Sequence, residues 1–233
     1  MMATITRSPM LVRVAPFALF MALTLLQEEL GDGARYWVYL LKTIVGAGML
    51  WAVRPVVGEA RWKLSWAAVA VGVAVFVVWV GTDSTYPRLD ALTEKLGLTE
   101  ARGPAAGWNP HAQFGQGAAL AWFFIAARII GASLVVPPLE EVFYRSFLYR
   151  YLAGVGPEFA SVPLGLFRWM PFVATSAIFG LEHREWLAGI LCGCAYQGLV
   201  CAKGRLGDAM AAHAITNLLL GLWVVGRGEW AFW

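Results

Sequence analysis

Apolar runs long enough to cross a bilayer recur along this chain, and they decide its fold class before any single residue is weighed. A helix needs about 17–25 residues to span a hydrocarbon core about 30 Å thick, and inside that core every backbone N–H and C=O must be satisfied within the segment. Eight candidates follow one another, at 10–26, 36–53, 64–82, 118–136, 140–152, 171–183, 186–202 and 210–225. With 59% hydrophobic residues, 14% charged residues and a mean hydropathy of +0.62, the pattern predicts an all-α, polytopic membrane protein with about eight transmembrane helices. A cell (inner) membrane location, multi-pass, and the lipid bilayer as a partner follow from that expectation.

Several function classes drop out early. The net charge of +3 is small and the Lys and Arg residues are scattered, so the clustered basic face of a nucleic-acid binder is missing. Arg7 and Arg13 before the first apolar run imitate a signal peptide, but Gln27-Glu28-Glu29 follows without a small-x-small cleavage site, which predicts an uncleaved first span. Cys192, Cys194 and Cys201 lack CxxC spacing and a nearby ligand-spaced His; they read as small buried hydrophobes.

The chain divides into an N-terminal three-span region plus loop, 1–116, and a core, 117–233, within one membrane domain. Lys42 lies close enough to the end of its span to extend toward the headgroups. The stretch 83–117, broken by Pro87, Pro104, Pro110 and glycines, reads as a connecting loop with a short interfacial helix at 89–98, and His111 in it as a solvated residue. Arg128 sits mid-span and calls for an anionic partner, Glu140 or Glu141. Pro137-Pro138 is expected to end that span, and Glu140 to open a new helix. Arg7, Arg13, Arg54, Arg61 and Lys63 favour a cytoplasmic N-terminus, and the terminal tryptophans suit an interfacial belt.

Charge in the oily C-terminal half requires a reason. A carboxylate at the centre of a spanning helix costs about 2.5–3.5 kcal/mol on insertion scales, yet Glu140-Glu141-Val-Phe-Tyr-Arg145 places two there beside an arginine. Farther on come Phe179-Gly-Leu-Glu-His183 and His213-Ala-Ile-Thr-Asn217. Residues four apart share a helix face, so Glu141 with Arg145, Phe179 with His183, and His213 with Asn217 each point one way, and three helices can converge on one cavity. A carboxyl group shielded by hydrocarbon can take a proton from water as general base, an imidazole can hold that water or protonate a leaving amine, and an amide with a second imidazole can donate to an oxyanion. Glu141 and Arg145 also suit a plain ion pair, a lone intramembrane His or Asn suits interhelical hydrogen bonding, and Glu182, Arg184 and Glu185 suit an interface.

EEVFYR, FGLEH and HAITN together resemble EExxxR, FxxxH and HxxxN, the three motifs of the CAAX protease and bacteriocin-processing family of intramembrane glutamic endopeptidases, in order over about the last 115 residues. The resemblance implies an eight-helix bundle and a peptidase of the glutamate type, and the expected cofactor is none, with zinc as the alternative. It implies that Glu140 and His183 activate water, that His213 and Asn217 stabilise the oxyanion, and that Glu141 and Arg145 organise the site. The tryptophan-rich N-terminal half and the Gly-x-Trp-x-Phe-Trp ending are similar to the CAAX-protease-related group found alongside exosortase systems, which implies a membrane-associated peptide or sorted protein as substrate. Two alternatives use the same residues: a zinc-dependent intramembrane metalloprotease, although HExxH is absent, and a non-catalytic membrane peptide-binding or immunity protein.

Overall fold

The computed structural model describes residues 8–31, 33–98, 107–154 and 156–233; Arg7 and Pro104, which entered the expectations above, lie outside them, as does the side chain of Glu28. The described residues form helices and no strand. They are α1 (Leu11–Glu29), α2 (Ala34–Val53), α3 (Trp66–Thr82), the short α4 (Leu89–Lys95) and α5 (Pro110–Phe114), α6 (Ala119–Gly154), α7 (Trp169–Leu181), α8 (Trp186–Lys203) and α9 (Gly207–Arg227). Five helical stretches are long and apolar enough to cross a membrane, and α1 and α7 are shorter apolar helices. The chain is thus an integral, multi-pass membrane protein.

The expected break after 136 does not occur: the fourth and fifth apolar runs form one helix. α6 runs for 36 residues through Pro137 and Pro138, widening into π-helix at Gly131–Val135 and again at Val142–Leu148. Proline removes an N–H and its ring crowds the carbonyl one turn back; a wide turn placed just before the pair relieves that crowding, with the Val136 N–H reaching back to Gly131 O. Both acids sit on the six-residue α-helical piece between the two wide turns.

Close packing substitutes for a hydrophobic drive between helices in lipid, and small residues permit it. A Cβ on Gly180 would lie 2.5 Å from the backbone nitrogen of Ile190, and one on Gly193 would lie 2.9 Å from Ser176 Cα, so α7 and α8 meet backbone to backbone. A Cβ on Gly72 would lie 2.6 Å from Ala212 O, where α3 meets α9; there Thr216 Oγ1 donates to Gly72 O at 2.9 Å.

Two polar clasps hold the connections. Glu59, between α2 and α3, accepts from Arg13 (2.5 Å), Ser146 (2.5 Å) and Arg150 (3.0 Å), joining that loop to α1 and α6. Burial pushes its carboxyl up, but the Ser146 hydroxyl and the Arg13 guanidinium outweigh burial and leave its pKa below the ordinary glutamate value. The segment after α3 is more than a plain connection: Leu89 N–H donates to Arg184 O (2.8 Å), Trp186 Nε1–H to Pro87 O (3.1 Å), and Arg184 pairs with Asp90 at 2.7 Å. Arg184 and Glu185 are held in this clasp, with Glu185 3.4 Å from Arg88.

Two other expectations change. Lys42 does not snorkel: it is 5% exposed, donates to Thr24 Oγ1 at 2.9 Å and lies over the Phe20 and Tyr39 rings. His111 packs edge-on between Trp122 and Trp230 instead of standing in solvent. The terminal segment folds back, with Trp233 against Trp108, and aromatic surface is buried in that cluster.

Candidate active site

A cavity of about 370 Å³ opens between α1, α2, α3, α6, α7 and α9, and Glu140, His183, His213 and Asn217 all line it. Helices α6 and α9 and the turn after α7 therefore bring the four residues expected from the sequence to one place; His183 stands two residues past the end of α7 instead of on it, and Glu182 joins them on the wall. α6 supplies Glu140 together with Arg128, Ala132 and Val136. In a regular α-helix a repeat of four drifts around the axis by about 40° per step. The wide turn at Gly131–Val135 takes up an extra residue and keeps all four on the cavity face.

Behind Glu140 lies a buried support. Glu141 has no exposed surface and stands 3.2 Å from Arg145 Nη1 and 3.0 Å from His213 Nδ1. The Arg145 guanidinium makes that pair by charge, without hydrogen-bond geometry, and rests on the Phe179 ring at 4.4 Å. Motif residues from α6, α7 and α9 thus lock one another: Glu141 holds Arg145 and His213, and Arg145 holds Phe179.

The imidazoles are oriented through their Nδ1 atoms. His183 Nδ1 lies 2.8 Å from Phe179 O; a carbonyl only accepts, so the proton is on Nδ1 and Nε2 keeps its lone pair. Trp79 stands edge-on to this ring at 5.3 Å. His213 stacks on Tyr196 at 5.0 Å and turns Nε2 to within 3.9 Å of Glu140 Oε2. With Nδ1–H directed at Glu141, Nε2 is a base in the neutral ring and a donor in the imidazolium. Asn217 Nδ2 donates at 2.8 Å to Ala132 O, a carbonyl one turn before the proline pair; its second N–H is the one it can offer a ligand.

Arg128 corrects an expectation. Among the described residues no carboxylate lies within ion-pair distance of it; its guanidinium stands over Trp108 (4.6 Å), Tyr39 (4.9 Å) and Trp233 (5.3 Å). Cation–π contact with ring faces replaces the ion pair. Sequence reasoning also missed Tyr196, the platform under His213, and Trp79, since nothing in an apolar helix distinguishes an aromatic residue that packs on a site from one that fills a core.

No group of three or more His, Cys, Asp or Glu side chains among the described residues is arranged to hold a metal ion. Neither a curated protein nor a solved structure matches the chain, whereas one family model does, described as type II CAAX prenyl endopeptidase Rce1-like. It spans residues 120–219, from the first turn of α6 to just past Asn217, and so covers every motif residue of the cavity. Residues 120–219 are thus similar to the Rce1-like CAAX endopeptidases, which supports the CAAX protease resemblance carried by the three motifs.

Proposed function

We propose that the protein is a glutamic-type intramembrane endopeptidase that hydrolyses a membrane-associated peptide or protein with a water activated by Glu140 and His183. One observation carries this reading: Glu140, His183, His213 and Asn217, drawn from two helices and the turn after α7, line a single cavity in the segment that matches the protease family. Glu140 takes a proton from the water, whose oxygen attacks the amide carbon, and His183 Nε2 accepts the water's other hydrogen bond. Charge developing on the carbonyl oxygen is met by the second N–H of Asn217 and by His213 Nε2–H in its imidazolium form. Glu140 then delivers the proton to the leaving amine. Glu141 and Arg145 position this machinery.

The family name refers to a prenyl endopeptidase, while the tryptophan-rich N-terminal half and the chain ending favour a sorted membrane protein. Cleavage would occur in the cell (inner) membrane. Purified protein in detergent, incubated with membrane proteins from cells lacking it, tests the reading. Glu140→Gln and His183→Ala should lower cleavage by about a hundredfold or more while melting near the wild-type temperature. Wild-type-like cleavage by either variant would count against the mechanism.

A further inference from the structure

The cavity holds a cation that the hydrolytic scheme does not use. Arg128 lines the same wall of α6 as Glu140 and is only partly covered, its remaining surface facing the cavity. The faces of Tyr39, Trp108 and Trp233 fix the plane of its guanidinium. Ring faces attract the charge but satisfy no N–H, and among the described residues Arg128 donates to no acceptor. A planar fork of donors, held rigid on three sides and open on the fourth, matches the geometry of a carboxylate.

Helix phase explains why this fork faces the reacting end. Twelve residues separate Arg128 from Glu140, which in a regular α-helix would set them about 120° apart. The extra residue absorbed at Gly131–Val135 reduces this to about 20°. The same twelve residues give a separation of about 18 Å along the axis, the reach of about five residues of extended peptide. Lys42, which also lines the cavity and shares the Tyr39 ring with Arg128, makes that end electropositive, whereas Glu140 and Glu182 make the other acidic.

The geometry points to Arg128 as the residue that binds a carboxylate of the peptide substrate, about five residues along the extended chain from the scissile bond. This rests on the proteolytic reading above. The carboxylate can be a free chain terminus or an Asp or Glu side chain. Both present the same fork of oxygens.

The test uses the full chain in phosphatidylcholine nanodiscs and a pool of N-palmitoylated random peptides, made as C-terminal acids and as C-terminal amides. Mass spectrometry reads both the peptides retained and the fragments produced. Wild type should retain and cleave carboxylate-bearing peptides over their amide counterparts by about ten- to a hundredfold, the worth of a charged hydrogen bond, and Arg128→Gln should bring that ratio to about one. Selection of acid over amide termini identifies a chain end as the source; selection of internal Asp or Glu over Asn or Gln identifies a side chain. Arg128→Lys, which keeps the charge and loses the fork, should retain part of the preference and supports the assignment even if the glutamine variant fails to fold. Retention that favours acids without any cleavage would uphold the Arg128 site and reject the protease. An unchanged ratio in folded Arg128→Gln, no acid preference in wild type, or loss of the acid preference when phosphatidylglycerol is added to the nanodiscs, with Arg128-dependent retention of that lipid in place of the peptides, would overturn the proposal.

Discussion

Removal of the Glu141 carboxylate exposes how the site is held together. Glu141 and Arg145 are fully buried, 3.2 Å apart, and the other neighbours of the guanidinium are the rings of Phe179, Tyr144 and Tyr196. Glu141→Ala removes the acid in ion-pair contact with a buried cation and leaves it ring faces and the more distant Glu140 and Glu182, a loss of about 3–5 kcal/mol. For a chain of this size that lowers the melting temperature by about 6–20 °C. Melting in detergent, followed by tryptophan fluorescence, measures it. The double variant Glu141→Leu with Arg145→Met should recover most of the loss, because an apolar pair of similar volume replaces the ion pair at little cost, yet it should stay inactive since His213 has lost its Nδ1 partner. A single variant that melts within about 2 °C of wild type, less than 1 kcal/mol by the same conversion, would refute the account of Glu141 as the buried keystone.

Further outcomes follow from other parts of the molecule. Glu59 has a folded-state pKa below the ordinary glutamate value, so its stabilising share is present above about pH 4.3 and fades as pH falls through the folded value; Glu59→Gln should flatten the drop in melting temperature on the acid side. Gly193→Ala puts a methyl 2.9 Å from Ser176 Cα and should cost about 1–3 kcal/mol, whereas Gly198→Ala, with nothing within 4 Å, should melt at or above wild type. Exhaustive chelation should leave cleavage unchanged, and a loss restored by zinc would favour the metalloprotease alternative.

The reach of sequence reasoning can be judged residue by residue. The interval of four within a helix made the common facing of His213 and Asn217 legible, because such spacing survives any arrangement of neighbouring helices, whereas His183 reaches the cavity from the turn beyond α7. Partners across helices were not legible. Arg128 was assigned a carboxylate because charge usually meets charge, but its actual neighbours come from α2, the connection before α5 and the terminal segment, which no local pattern connects. Pro137-Pro138 read as a stop because proline normally ends a helix; a widened turn upstream allowed the helix to continue. Lys42 was judged by its distance from a helix end, a measure that ignores the inward-facing Thr24 and Tyr39.

The two wide turns of α6 also determine how this helix can change in length. The acids stand on a short rigid piece with a loosened turn on either side, so its facing depends on residue number as much as on residue type. Loss of one residue from the wide turn at Gly131–Val135 would restore a regular helix and leave both acids facing as before, about 20° from Arg128, whereas loss of one from a regular turn between Arg128 and Glu140 would swing the acids by about 100°. Substitutions can accumulate along this helix one at a time, whereas a single loss of length keeps the site only where a wide turn gives up its extra residue, and elsewhere needs a compensating change.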